Sequence, residues 1–277
     1  MSRRLWAGSA GIGLVAALAV ATPASASVTG CYGDCKPGIV RVTGNLRFDA
    51  PIGVNDRITV TGDSSVITVT DPTATLTAGA GCTLVTPHQV QCASTAWMSM
   101  RIRGLDGDDV ITNATAFPAD LSGNDGNDRL TGGSGDDRLT GGFGADVLQG
   151  GGGSDTASYA DQSNRLAVRA DLDGATGDDG SADDGPAGAR DTIAADVENL
   201  VGTLQNDVLI GNAGANSIDG DGGHDQIQGL GGNDSLTARG GGSIDGGAGT
   251  DDCTSTLVSQ PVNPDVFTGC ESAVVVP

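Results

Sequence analysis

The sequence predicts an all-β fold: a right-handed parallel β-roll or β-helix solenoid of nine-residue units, preceded by a β-rich capping region. Three observations predict it. Residues 132–158, GGSGDDRLTGGFGADVLQGGGGSDTAS, repeat with a period of nine and set an aspartate at the sixth place of each unit. The 277 residues include 46 glycines but only 3 % aromatics, too little bulk for an ordinary globular core. The formal net charge is −21, and the only glutamates are Glu198 and Glu271. Such a charge argues against a nucleic-acid partner and for cation binding or solubility.

The repeat is written GGxGxDxUx, with U a large aliphatic residue. Its best copies span residues 132–140, 141–149 and 229–237, and looser copies begin at Gly104, Gly123, Gly150, Gly202, Gly211, Gly220 and Gly246. The sixth positions are Asp109, Asp128, Asp137, Asp146, Asp155, Asp207, Asn216, Asp225, Asp234 and Asp251. The eighth positions run Ile111, Leu130, Leu139, Leu148, Ala157, Leu209, Ile218, Ile227, Leu236 and Cys253. Two positions held in phase through so many copies exclude coincidence.

Each part of the unit has a physical role. Six glycine-rich residues turn tightly through positive φ, and the xUx triplet is long enough for a short strand with one side chain pointing inward. Two units make an eighteen-residue coil, and stacked coils form two parallel ladders around a thin Leu/Ile layer. Stacking also superposes the aspartates. At ~5 Å and an effective dielectric of about 20, each neighbouring pair of carboxylates repels by roughly 3 kcal/mol, as much as one buried aliphatic side chain returns at about 1.5–3 kcal/mol. A hard divalent cation between turns removes that repulsion. Calcium fits best, because it accepts six to eight oxygens in flexible geometry, whereas magnesium demands a tight octahedron and keeps its waters.

The copies in residues 104–158 and 202–254 resemble the haemolysin-type, or RTX, calcium-binding repeats of bacterial exported toxins, proteases and lipases. The resemblance implies a parallel β-roll with several Ca2+ ions held between turns by the sixth-position aspartates. The metal ligands expected from it are Asp109, Asp128, Asp137, Asp146, Asp155, Asp207, Asp225, Asp234 and Asp251. The segments Asp155-Thr-Ala-Ser-Tyr159, Leu166-Ala-Val-Arg-Ala-Asp-Leu172 and Asp191-Thr-Ile-Ala-Ala-Asp-Val-Glu-Asn-Leu200 also look like members of this group. With an N-terminal leader, the whole resembles small secreted calcium-binding proteins of actinomycete type. RTX proteins of Gram-negative bacteria typically leave by a type I route that reads a C-terminal signal, and the N-terminal leader here speaks against that route.

Register places individual residues. If residues 113–122 serve as one irregular half-turn, Asp109, Asp128 and Asp146 share one edge, and Asp137 and Asp155 the other. In the second array Asp207 pairs with Asp225 and Asn216 with Asp234, with Asp251 extending the latter edge. Asn216 lacks the acid, Gln205 replaces a turn glycine, and residues 238–245 are one short. Weak or missing ions are expected there.

Organisation follows from composition. Residues 1–26 read as a signal peptide: Arg3 and Arg4, an apolar run, then Ala24-Ser25-Ala26. Ser2-Arg3-Arg4 leaves twin-arginine export open beside the general secretory route. Its removal takes the formal charge from −21 to −23. Residues 27–103 form a β-rich N-terminal region, with alternating stretches such as Arg57-Ile-Thr-Val-Thr61 and Val66-Ile-Thr-Val-Thr70. They are either irregular coils capping the solenoid or an independent β-sandwich. Residues 104–158 are the first array, 159–201 a spacer with an acidic loop, 202–254 the second array and 255–277 a C-terminal cap. The acidic stretch 173–191 lacks the EF-hand spacing and reads as a solvated loop, with a supplementary cation site as the alternative. His224 and His88 read as surface residues.

Six cysteines fall into three local couples, Cys31 with Cys35, Cys82 with Cys92 and Cys253 with Cys270. Neighbour pairing as disulfides is the simplest reading and suits an exported chain. A zinc site lacks a second close pair.

No HExxH, GxSxG or P-loop pattern occurs, and the few aromatics disfavour a glycosidase cleft. The reading is therefore a non-enzymatic, secreted, extracellular protein whose folding is coupled to Ca2+. A calcium-dependent adhesion or matrix-binding module is the alternative, ahead of a cryptic polysaccharide hydrolase. After the leader, no run approaches the roughly 18 apolar residues of a membrane span, and a cell-surface ligand is left open.

Overall fold

The computed structural model describes residues 38–95, 98–160, 166–256 and 266–276. The leader, Cys31 and Cys35 lie outside the described residues. Among those described there is no helix, and none, therefore, long and apolar enough to cross a membrane. The chain is all-β, a solenoid of parallel stacked coils of about nine turns.

Alternate repeats feed alternate sheets. One face is a continuous sheet of twelve strands that runs through both arrays. It stacks Asn45–Asp49, Met100–Asp106, Ala119–Asp125, Arg138–Phe143, Thr156–Ser158, Asn199–Val201, Ser217–Gly222, Ser235–Arg239, Asp252–Thr256 and Ser272–Val276 in parallel. The other face is split. Arg57–Gly62, Val110–Asn113, Arg129–Gly133, Val147–Gly151 and Thr192–Ile193 form its first part. Arg169–Asp171, Val208–Ile210, Asp225–Gln228, Gly242–Asp245 and Val266–Thr268 form its second.

Register follows the inward aliphatic residues, the eighth positions of the repeats and their counterparts in the irregular coils. Ile102 lies over Leu121 and Leu121 over Leu139 on the long face, while Ile111, Leu130, Leu148 and Ile193 stack on the other. All of them are buried. Each rung therefore contributes one side chain per face to a single narrow core, which is how so glycine-rich a chain excludes water from its centre.

Two departures from the eighteen-residue coil are absorbed locally. The ten-residue half-turn separates Ile102 from Leu121 by nineteen residues. The short copy separates Leu236 from Cys253 by seventeen. Neither breaks the stacking.

Before the arrays, Val66–Thr70, Gln89–Ala93 and Cys82–Thr86 extend the second face by antiparallel pairing. The Cys82–Cys92 disulfide closes this meander. Cys253–Cys270 ties the last coils together.

The spacer inserts unequally. On the long face Thr156–Ser158 pairs directly with Asn199–Val201. On the other face, isolated antiparallel bridges from Asp179 to Asp191 and from Gly180 to Arg169 lie between the two parts. Asp179 clips them together: Oδ1 accepts from the Asp171 N–H at 2.7 Å and Oδ2 from the Ile193 N–H at 2.9 Å. Asp179, Asp184 and Asp191 are buried, which corrects the expectation of a solvated loop. Backbone donors and docking against the first array, rather than water, satisfy part of this acidic stretch. His224 and His88 are exposed.

Candidate metal centre

The sixth-position aspartates sit where a glycine-rich turn enters a strand. Asp109, Asp128, Asp137, Asp146, Asp155, Asp207, Asp225, Asp234 and Asp251 are all at most 3 % exposed. The first-position glycine of each unit makes room for them. A Cβ on Gly123 would overlap Asp128 Oδ2, and one on Gly141 would overlap Asp146 Oδ2. These glycines are needed for space as well as for turning.

One oxygen of each carboxylate is engaged by backbone. The Asp109 N–H donates to Asp128 Oδ1 at 2.7 Å, and the Asp128 N–H to Asp146 Oδ1 at 2.7 Å. This file continues at both ends, from Asp56 N–H to Asp109 Oδ1 and from Asp146 N–H to Asp191 Oδ1. A second file runs from the Ala119 N–H to Asp137, from Asp137 to Asp155 and from Asp155 to Glu198. Beyond Glu198, whose carbonyl accepts from Asn216 Nδ2, it passes from Asn216 to Asp234, Asp251 and Glu271. A third takes Val168 to Asp207 and Asp207 to Asp225.

The other oxygen is stranded. Oδ2 of Asp109, Asp128, Asp137, Asp146, Asp155, Asp225, Asp234 and Asp251 is buried without a hydrogen-bond partner. Among the described residues the arginine ion pairs lie on Asp49, Asp120, Asp171, Asp219 and Asp221, and none reaches these eight. Burial is the main cause that pushes the Asp128 and Asp225 carboxyls up to about 8, Asp146 to about 7 and Asp109 and Asp137 to about 6. The backbone donors oppose that rise, and neighbouring carboxylates add to it in each case.

Buried anionic oxygens without donors cost free energy unless a proton or a cation meets them. An all-oxygen, acid-rich set matches a hard cation of the calcium type. Asp207 and Asn216 differ. Asp207 Oδ2 accepts from the Thr203 N–H at 2.6 Å, and Asn216 Oδ1 accepts from the Asn212 N–H at 2.8 Å. At both positions a protein N–H meets the oxygen that is left without a donor in the other repeats.

Sequence reasoning missed Asp56, Asp191, Glu198 and Glu271 as members of the files. Each keeps the acid without the paired glycines that open a repeat. Asp56, Asp191 and Glu198 also keep a buried aliphatic residue two places on, Ile58, Ile193 and Leu200, whereas Ala273 after Glu271 is exposed. The chain's two glutamates both stand in the second file. In the spacer, carboxylate oxygens of Asp171, Asp173 and Asp178 lie within 4.8 Å of one another, with Asp171 also facing Arg169 at 3.3 Å.

Comparison with known families places a label on the repeats. The family model described as the RTX calcium-binding nonapeptide repeat (4 copies) matches residues 122–157, 201–236 and 219–241. No curated protein matches the chain.

Proposed function

We propose that the chain, whose residues 122–157 and 201–241 match the RTX calcium-binding nonapeptide repeat, is an RTX-type calcium-binding protein that is exported as an unfolded chain and stiffens on meeting calcium outside the cell. The ions sit between successive turns on the files of Asp109, Asp128, Asp137, Asp146, Asp155, Asp225, Asp234 and Asp251, with Asp207 a weak or vacant position. What carries this reading is the row of buried Oδ2 atoms with no donor. The calcium supplies the positive charge these oxygens lack. The protein's own groups hold the carboxylates in place through the backbone N–H ladder and keep water away by the aliphatic layer beneath.

The role is structural or interactive rather than catalytic. The described part of the N-terminal region, residues 38–95 and 98–103, acts as the cap of the solenoid, supported by the parallel pairing of Asn45–Asp49 with Met100–Asp106 and of Arg57–Gly62 with Val110–Asn113. The two disulfides suit an oxidising, extracellular setting, and residues 1–26 serve as the leader. Extracellular calcium modules commonly bind in the range of about 10⁻⁴ to 10⁻³ M, so external calcium is the switch. A calcium-dependent adhesion module is the second reading. The exposed Val274, Val275 and Val276 on the last strand favour it, and cell-wall pulldown with and without calcium tests it.

Calcium titration of the mature chain, followed by circular dichroism, tests the main proposal. Strand signal should grow with calcium and vanish with chelator. A metal-stripped chain that keeps the same strand content and melting temperature would overturn it.

A further inference from the structure

The spacer carries acids that no nonapeptide accounts for, and they meet at its seam with the first array. Asp184 is 4 % exposed. Its Oδ2 accepts from the Ser181 N–H at 2.6 Å, and its Oδ1 has no partner. Asp191 is fully buried, accepts at Oδ1 from the Asp146 N–H at 2.9 Å and leaves Oδ2 without a partner. The two carboxylates converge on Gly180: a Cβ there would lie 2.6 Å from Asp184 Oδ2 and 2.8 Å from Asp191 Oδ2. Asp146 is their neighbour, with its own Oδ2 stranded.

A group of different chemistry points into the same place. Tyr159 is 1 % exposed and lies against Asp191, Asp179 and Asp184, yet its hydroxyl finds no partner at hydrogen-bonding geometry. Asp179 is already spent, both oxygens being held by the backbone. The nearest arginine in sequence, Arg190, donates to the Gly185 carbonyl at 3.0 Å instead. The Asp184 and Asp191 carboxylates thus meet at Gly180, with Asp146 bonded to Asp191 through its N–H and the Tyr159 phenol beside them. No arginine ion pair among the described residues reaches Asp146, Asp184 or Asp191.

We propose that Asp146, Asp184 and Asp191, with the Tyr159 hydroxyl, form a divalent-cation site of the calcium class, built by the spacer rather than by a nonapeptide. A single proton neutralises one acid of three, whereas a divalent ion meets the remaining charge and the stranded oxygens together. The ion fastens the acidic segment onto the last coil of the first array, at the point where the second face is interrupted. This site rests on the calcium reading above, and its test separates the two.

Calcium bound per chain is counted by equilibrium dialysis for the full mature protein, for Asp184→Asn and for Asp183→Asn, whose exposed neighbouring acid serves as control. Asp184→Asn should bind one ion fewer than wild type with unchanged strand content, and Asp183→Asn should match wild type. Equal counts in folded Asp184→Asn overturn the site and leave the repeat sites standing. If wild type binds no calcium, the functional reading falls and this site with it. Should Asp184→Asn not fold, terbium emission sensitised by Tyr159 decides. Emission that is strong in wild type and falls several-fold in Tyr159→Phe supports the site, and equal emission overturns it.

Discussion

The Asp128 N–H donates to Asp146 Oδ1 at 2.7 Å across one coil, while Asp146 Oδ2, on the same carboxylate, has no donor at all. The ladder thus fixes each acid by one oxygen and presents the other to whatever neutralises it.

Asp146→Asn separates these two duties. The amide oxygen can keep the Asp128 bond, and the amide nitrogen replaces the stranded anionic oxygen. The calcium-free chain should become more stable, because a buried unpaired charge is removed, and the calcium-induced rise in melting temperature should shrink. Thermal melts with chelator and with saturating calcium check both directions. An Asp146→Asn chain less stable than wild type in chelator would count against the stranded-charge argument.

Acid should substitute for calcium. Asp128 and Asp225 titrate near 8 in the fold against 3.8 as the ordinary value, chiefly because they are buried. Between those values the folded calcium-free chain holds protons that the unfolded chain has released, so stability falls as pH rises through the window and returns on acidification. In chelator, melting should therefore be higher at about pH 5 than at about pH 8. Calcium competes with the same protons, so its apparent affinity should weaken over the same descent. Chelator melts and calcium titrations at the two pH values measure it.

The first-position glycines should be intolerant for a reason of space. Gly123→Ala drives a methyl into Asp128 Oδ2, and overpacking of this kind costs about 1–3 kcal/mol. Gly152→Ala meets nothing within 4 Å and should be near neutral. Denaturant midpoints of the two variants in calcium give the contrast.

Asp207 should behave unlike its neighbours. Thr203 already occupies its Oδ2, so Asp207→Asn should leave the number of bound ions unchanged, whereas Asp225→Asn, with a stranded Oδ2, should lose one. Isothermal titration of both variants tells them apart.

The sequence by itself determined the period, the inward aliphatic residues and the edges on which the repeat aspartates fall. A glycine turn and a single inward side chain are local requirements, and each copy spells them out. The Cys82–Cys92 and Cys253–Cys270 pairs were legible for the same reason, since each lies close in the chain. Only the tertiary structure decided that Asp191, Glu198 and Glu271 join the files. A file position demands a backbone N–H one coil away, which does not need the glycines by which a repeat is recognised. Nor could composition tell that Asp184 and Asp179 are buried. Their donors, Ser181 for Asp184 and Asp171 and Ile193 for Asp179, are close in the chain, but a stretch of Gly, Asp and Pro looks solvated until it packs on a coil 45 residues away, as Asp191 does on Asp146.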